Sequence, residues 1–530
     1  MHLTRCVLAL CASWWIVLGA PLNAAQAPDQ RPELEVIADA RVGGEQRAQA
    51  IRSFMARAKE QGECARAAAE LDAVILDQRF PAWLRRVGAE AIASCGDERT
   101  GAYLAARMGR GTTRERLHHL RGARGSAHAK VFDAALALLR DDDPRVRCEA
   151  AELLARHKVE AAREPLVEVV SKARDDALLE TALHAVSAIV KDSERASAWR
   201  AQLERWASEK ASLRRRAALG SLLEGDDAAL RKLAERALGD EDWSVRVLAL
   251  EWLAREPSVA TLELFIARLE VEALGSRVHG DLNDKLEAFT GVKRYSTHEQ
   301  WVRWRAGAGR DWAPGKKEGE PASAGNEPRS RTRPKFYGVD VVSARTLYVI
   351  DLSGSMNAQS RSPEHKGKRR IDVAKEELLA LVDSLPAGSW FNIVAFGDNV
   401  FTWLDSLASF SVGRKGGGST EELTARQRKR DEELREKART YVRSLNLSGS
   451  TNIYDAFARA FEDPDVDTLC FMTDGTPTIG TETEAIAIRE ELVRWNRTRR
   501  VRIHCVAVGE DNSLPRWIAA DHGGVHRFVP

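Results

Sequence analysis

The side chains best equipped for chemistry stand at the end of an apolar run. Leu347-Tyr348-Val349-Ile350 leads straight into Asp351-Leu352-Ser353-Gly354-Ser355. A short run of this kind, stopped by Ser and Gly, reads as a buried parallel strand. The polar cluster then falls at the strand's carboxyl end, where open α/β sheets bind ligands. One carboxylate and two hydroxyls at alternate positions, with no His or Cys among them, form an oxygen-only set. Such a set suits a hard cation, Mg²⁺ first, with Mn²⁺ and Ca²⁺ as alternatives.

The elements that must position this cluster follow it in the chain. From Phe336 to the end, strand and helix patterns alternate, which indicates an α/β domain over 336–530. Strands are expected at Thr346–Leu352, Trp390–Phe396, Val400–Leu404, Thr468–Met472, Val501–Val508 and Val525–Val529. Helices are expected at Ile371–Ser384, Glu421–Leu445, Ile453–Phe461, Glu482–Trp495 and Leu514–Ala520. Two segments stand apart: a basic insertion at 357–370 and a Gly-rich, charged stretch at 413–436. Both read as mobile, solvated loops, and the sharper alternative is a specificity rim around the ion, because long loops at such an edge carry function.

The motif Asp351-x-Ser353-x-Ser355 resembles the metal-ion-dependent adhesion site of the von Willebrand factor A family. Two distant stretches resemble that family's other loops: Ser448-Gly449-Ser450-Thr451-Asn452, with Thr451, and Met472-Thr473-Asp474-Gly475, with Asp474. The resemblance implies a Rossmann-like domain, a central and mostly parallel sheet flanked by helices. It also implies that Ser353, Ser355 and Thr451 bind Mg²⁺ directly, while Asp351 and Asp474 supply charge directly or through water. An Asp or Glu of a protein partner then completes the ion's octahedron, so the implied activity is binding, not catalysis. Asp372, Asp398, Asp455 and His365 lie near these motifs and read as caps, turn residues or support.

An enzyme is the weaker reading. Asp351 is placed like the nucleophile of haloacid-dehalogenase phosphatases, but Ser353 stands where those need a second Asp. No Gly-x-Ser-x-Gly elbow, His-Glu-x-x-His pair or P-loop occurs. The remaining alternatives are a pure scaffold with a non-binding A domain and a metal-dependent hydrolase.

The first half of the chain reads differently. Residues 1–27 have a basic start, an apolar run and small residues at Ala24, Ala25 and Ala27, the pattern of a signal peptide. That predicts an exported protein, periplasmic or secreted, with no transmembrane segment in the mature chain. Residues 32–272 are helical and repetitive. Asp143-Pro144-Arg145-Val146-Arg147 and Asp242-Trp243-Ser244-Val245-Arg246 correspond, and Leu84-Arg85, Leu179 and Leu213 are expected at the place of the two Val residues. A period of about 30 to 34 residues marks a helical solenoid. The unit resembles a HEAT-like repeat, in which the Asp run caps the helix and the Arg reaches a neighbouring repeat's Asp. Its concave face is expected to offer a second protein surface. Residues 273–305 read as a helical cap with Trp301 and Trp304 as anchors, and 306–335 as a flexible linker that tethers two unfused halves.

Charge and cysteines set the remaining bounds. Lys and Arg number 80 against 78 Asp and Glu, which leaves no dominant positive field and argues against nucleic acid. The many charges are expected to solvate helix faces. Beyond the signal segment, Cys64, Cys95, Cys148, Cys470 and Cys505 are too few and too odd for a disulfide framework. Cys64 and Cys95 lie one repeat apart and could pair between stacked helices, whereas Cys470 and Cys505 read as buried thiols on neighbouring strands.

Overall fold

The computed structural model describes residues 31–76, 80–225, 228–293, 295–315, 334–341, 343–411, 414–415, 421–422 and 424–530. The signal segment and most of the expected linker lie outside the described residues. Among those described, no helix is long and apolar enough to cross a membrane.

From Arg31 to Ala306 the chain is helical. Alternate helices stack in one row: Ala82–Ala93, Thr113–Ala123, Pro144–Arg156, Asp176–Val190, Ser212–Leu222, Trp243–Leu253 and Arg277–Thr290. The helices between them back this row and close a continuous apolar core. No unit could cover its own apolar face, which is why the units fold as a stack. Asp143 and Asp242 cap their helices by accepting from the backbone N–H of Arg145 and Ser244. The repeated Arg is the fourth residue of its helix at Arg85, Arg116, Arg147, Arg215 and Arg246. Arg116 and Arg215 do reach the next unit's Asp141 and Asp240, at 3.0 Å each. Arg147 and Arg246 donate to the carbonyls of Asp141 and Asp240 in their own acidic turns, and Arg246 also reaches Glu272, ahead of the next helix of the row, at 3.0 Å. Leu179 and Leu213 sit one helix position away from the place of the two Val residues.

The stack ends on aromatic side chains. Trp301 is fully buried and its indole N–H donates to Asn283 Oδ1 at 2.8 Å. Trp312 stacks on Phe289, which stacks on Phe265 of the last repeat. Near the other end a disulfide joins Cys64 to Cys95, with Cα atoms 6.2 Å apart. It closes a loop of sequence separation 31, so Cys64→Ser with Cys95→Ser is expected to cost about 3–4 kcal/mol by the loop-entropy relation. Urea melts with and without dithiothreitol measure this, and an unchanged midpoint on reduction would contradict it.

The C-terminal domain is doubly wound. Its strands are β1 (Lys335–Phe336), β2 (Val339–Asp340), β3 (Arg345–Asp351), β4 (Trp390–Phe396), β5 (Val400–Thr402), β6 (Ala408–Ser409), β7 (Arg414–Lys415), β8 (Glu421–Glu422), β9 (Thr468–Thr473), β10 (Arg502–Val508) and β11 (His526–Val529). The main sheet runs β11-β10-β9-β3-β4-β5, with β6 also on β4. Every pair from β11 to β4 is parallel, and β5 and β6 are antiparallel edges. Separate apolar cores cover the two faces. This explains why β3, β9 and β10 are almost unbroken apolar runs. Cys470 and Cys505 are buried free thiols on neighbouring β9 and β10.

The two halves are docked, which corrects the expectation of two tethered bodies. Helix Ala485–Trp495 and the turn after it lie against the stacked row. Many of the contacts come from the fifth or ninth residue of successive solenoid helices, positions one turn apart on one helix face. Arg86 reaches Glu490 at 2.7 Å, Arg121 reaches Glu482 at 2.7 Å, and Arg494 reaches Glu152 at 3.0 Å. Glu180 accepts from the backbone N–H and the hydroxyl of Thr498, and Asp281 accepts from Arg502 at 2.7 Å. Gly220 leaves room for Thr498, whose methyl would lie 2.4 Å from a Cβ there. At the centre Glu149 is buried among Arg121, Arg124 and Arg494. Burial pushes its carboxyl up, but the guanidiniums of Arg124, Arg494 and Arg121 outweigh that and hold it well below the ordinary carboxylate range. Trp243 touches the cores of both halves. The charges read from sequence as solvating helix faces are therefore, at these positions, an interface. The face of the stacked row that carries these residues is covered by the chain's own C-terminal domain.

Candidate metal centre

Three loops meet at the carboxyl ends of β3 and β9. The parallel register sets Ile350 beside Met472 and Asp351 beside Phe396, so Asp351 and Asp474 leave neighbouring strands at nearly one level. The loop after β3 is laced to the Thr loop by two backbone bonds. Ser448 N–H donates to Leu352 O at 2.7 Å, and Gly354 N–H donates to Gly449 O at 2.8 Å. The Thr loop is laced in turn to the loop after β9. Thr451 N–H donates to Thr478 Oγ1 at 2.8 Å, and Thr478 N–H donates to Thr451 O at 2.9 Å. Asp398 also holds the Thr loop, accepting from Ser450 N–H at 2.8 Å.

The side chains converge within this frame. Ser355 Oγ donates to Asp474 Oδ1 at 2.6 Å, Ser353 Oγ lies 3.4 Å from the same oxygen, and the two hydroxyls are 3.0 Å apart. Thr451 and Ser355 meet over Gly475, where a Cβ would lie 3.7 Å from Thr451 Oγ1 and 3.8 Å from Ser355 Oγ. Asp351 is fully buried; its oxygens accept from Ser353 N–H at 2.7 Å and Thr473 Oγ1 at 2.6 Å. Burial, with a smaller contribution from the nearby Asp474, pushes its carboxyl up to about 6. Two carboxylates lie close together in a buried site, beside hydroxyls that present lone pairs. This donor set fits a hard divalent cation.

Of the five residues expected at the site, Ser353, Ser355 and Asp474 touch through their side chains, and the Thr451 hydroxyl borders the same Gly475 as Ser355. Asp351 sits behind Ser353 and fixes its backbone. The neighbours first read as support behave so: Asp372 pairs with Arg369 at 2.8 Å, and Asp455 accepts from Asn452 Nδ2 at 2.8 Å. The 357–370 insertion is pinned rather than loose. Gln359 bridges Arg369, and Arg361 N–H donates to the carbonyl of the terminal Pro530 at 3.0 Å. Of the 413–436 stretch, 413, 416–420 and 423 lie outside the described residues, and helix Ala425–Ser444 takes up its charged end.

Two participants were missed. Thr473 caps Asp351, and its signal was only a hydroxyl beside Asp474. Arg370, placed by sequence at the end of the basic insertion, donates through Nη1 to Asp474 Oδ2 at 2.7 Å, and both side chains are buried.

A doubly wound sheet whose Asp-x-Ser-x-Ser, Thr and Asp loops close on one point defines an adhesion-type A domain. Residues 347–524 match the family model of the von Willebrand factor type A domain, and the C-terminal half of the chain carries that domain. The human inter-alpha-trypsin inhibitor heavy chain H4 is 26% identical over 206 residues, 36% of this chain and 19% of that protein. The heavy chain H1 of Sus scrofa is 29% identical over 151 residues, 26% of this chain and 13% of that protein. The chain thus spans a fifth or less of the length of these curated relatives. The match to the complex of CpcE and CpcF of phycocyanin lyase from Nostoc sp. PCC7120 covers 54% of this chain and 96% of that chain at 17% identity, with a TM-score of 0.19.

Proposed function

We propose that the protein is an exported, Mg²⁺-dependent protein-binding module whose A domain is presented on a HEAT-like solenoid. Ser353, Ser355 and Thr451 would hold the ion through hydroxyl oxygens, with Asp351 and Asp474 supplying the negative charge. A bound ion supplies one electron-poor coordination position that a partner's Asp or Glu carboxylate can fill. The chain's own groups do the rest. Asp474 Oδ1 accepts the Ser355 proton and so turns that hydroxyl's lone pairs outward. Asp351 fixes the Ser353 backbone. The laced loops hold the three hydroxyls together.

The observation that carries this reading is the convergence of the Ser353 and Ser355 hydroxyls on one oxygen of Asp474. Export is supported by the signal-like residues 1–27 and by the Cys64–Cys95 disulfide, a bond suited to an oxidising compartment. Immobilised full-length protein tests the function against its native extracellular or periplasmic fraction. Partners captured in Mg²⁺ should elute with EDTA and fail to bind the Asp351→Ala variant. Capture that persists in EDTA would refute the metal-dependent reading.

A further inference from the structure

Among the described residues, Arg370 is the one cation that hydrogen-bonds into the cluster. It opens helix Arg370–Ser384, and its side chain passes Gly509, where a Cβ would lie 1.9 Å from its Nη2. Gly509 has φ +73°, a conformation suited to glycine, and here the missing Cβ also clears the guanidinium's path. The arginine ends on Asp474 Oδ2 and leaves Oδ1 to the two serines. Its Nε finds no hydrogen-bond partner among the described residues, so Asp474 is its principal anchor.

The charge count follows from these contacts. Asp351 and Asp474 bring two negative charges to the site, and Arg370 offsets one of them. A divalent ion added to this set leaves a net positive centre, whereas the same ion between two unopposed carboxylates would be neutralised. We infer that Arg370 is a specificity-determining residue that weakens the site's hold on the ion and keeps the bound ion attractive to an anionic partner. This inference rests on the metal reading of the site.

The signs distinguish this role from a structural one. Replacing a residue that merely positions Asp474 can only weaken metal binding, as supporting partners do by ~10- to 100-fold. Replacing an offsetting charge strengthens it. A unit charge within a few ångströms shifts proton affinity by about one to three pKa units, so Arg370→Gln is expected to bind Mn²⁺ about tenfold more tightly. Arg370→Lys keeps the charge and should stay near the wild type.

The experiment is Mn²⁺ titration of the full chain, followed by the electron paramagnetic resonance of the free ion, with thermal melts to verify folding. Tighter binding in folded Arg370→Gln, with Arg370→Lys near the wild type, supports the inference. Equal or weaker binding in folded Arg370→Gln overturns it while leaving the metal site standing. If Arg370→Gln does not fold, tighter binding by Arg370→Lys overturns it, and unchanged binding by Arg370→Lys with weaker binding by Asp474→Asn supports it. A wild type that binds no Mn²⁺ overturns both the inference and the reading beneath it.

Discussion

Glu149→Ala is expected to separate the C-terminal domain from the solenoid. Three guanidiniums, from Arg121, Arg124 and Arg494, converge on this one buried carboxylate. Removing it leaves them facing one another with less counter-charge, and breaking a buried pair in this way costs about 3–5 kcal/mol. Part of the loss falls on the interface, because Arg494 belongs to the A domain while Glu149, Arg121 and Arg124 belong to the solenoid. Calorimetry should therefore show two transitions in the variant and small-angle scattering a larger radius of gyration. A single transition at the wild-type temperature, with unchanged scattering, would show that the docking does not depend on this network.

Thr451→Ala and Asp351→Ala should each weaken Mg²⁺ by at least ~10- to 100-fold while leaving the far-ultraviolet circular dichroism intact. Thr451 contributes a hydroxyl at the point where the three loops meet. Its backbone bonds to Thr478 do not need that hydroxyl, so the loop should survive its removal. Asp351 acts from behind: without it, Ser353 N–H and Thr473 Oγ1 lose their acceptor. Isothermal titration with Mg²⁺ measures both variants. Wild-type affinity in either would remove that residue from the ion's environment.

Much of this site was legible in the sequence because its signals are local. An apolar strand ending in Asp351-x-Ser353-x-Ser355 states its own position on a parallel sheet, and the Thr451 and Asp474 loops carry short patterns of their own. The solenoid was legible for the same reason, since each unit repeats a cap, an Arg and an apolar stripe. That repeat length left the Cys64–Cys95 pairing open, and the structure makes it.

What was not legible depends on partners far along the chain. Arg86, Arg121, Glu152 and Glu180 look like any charge on a solvated helix face. Only the stack shows that fifth and ninth positions share one surface, and only the fold brings Glu490, Glu482, Arg494 and Thr498 against it. Arg370 was hidden in the same way. It follows four other basic residues in an insertion, and nothing local separates the one that turns inward to Asp474 from those that face water. The path that admits it is set by Gly509, 139 residues later in the chain.

The central claim is that three loops hold a single hard ion, and direct titration of chelator-treated, full-length protein with Mg²⁺ tests it. The account predicts one saturable site per chain that Mn²⁺ displaces and that Asp474→Ala lacks. A wild-type chain that takes up no ion, or an Asp474→Ala chain that binds as the wild type does, would contradict it.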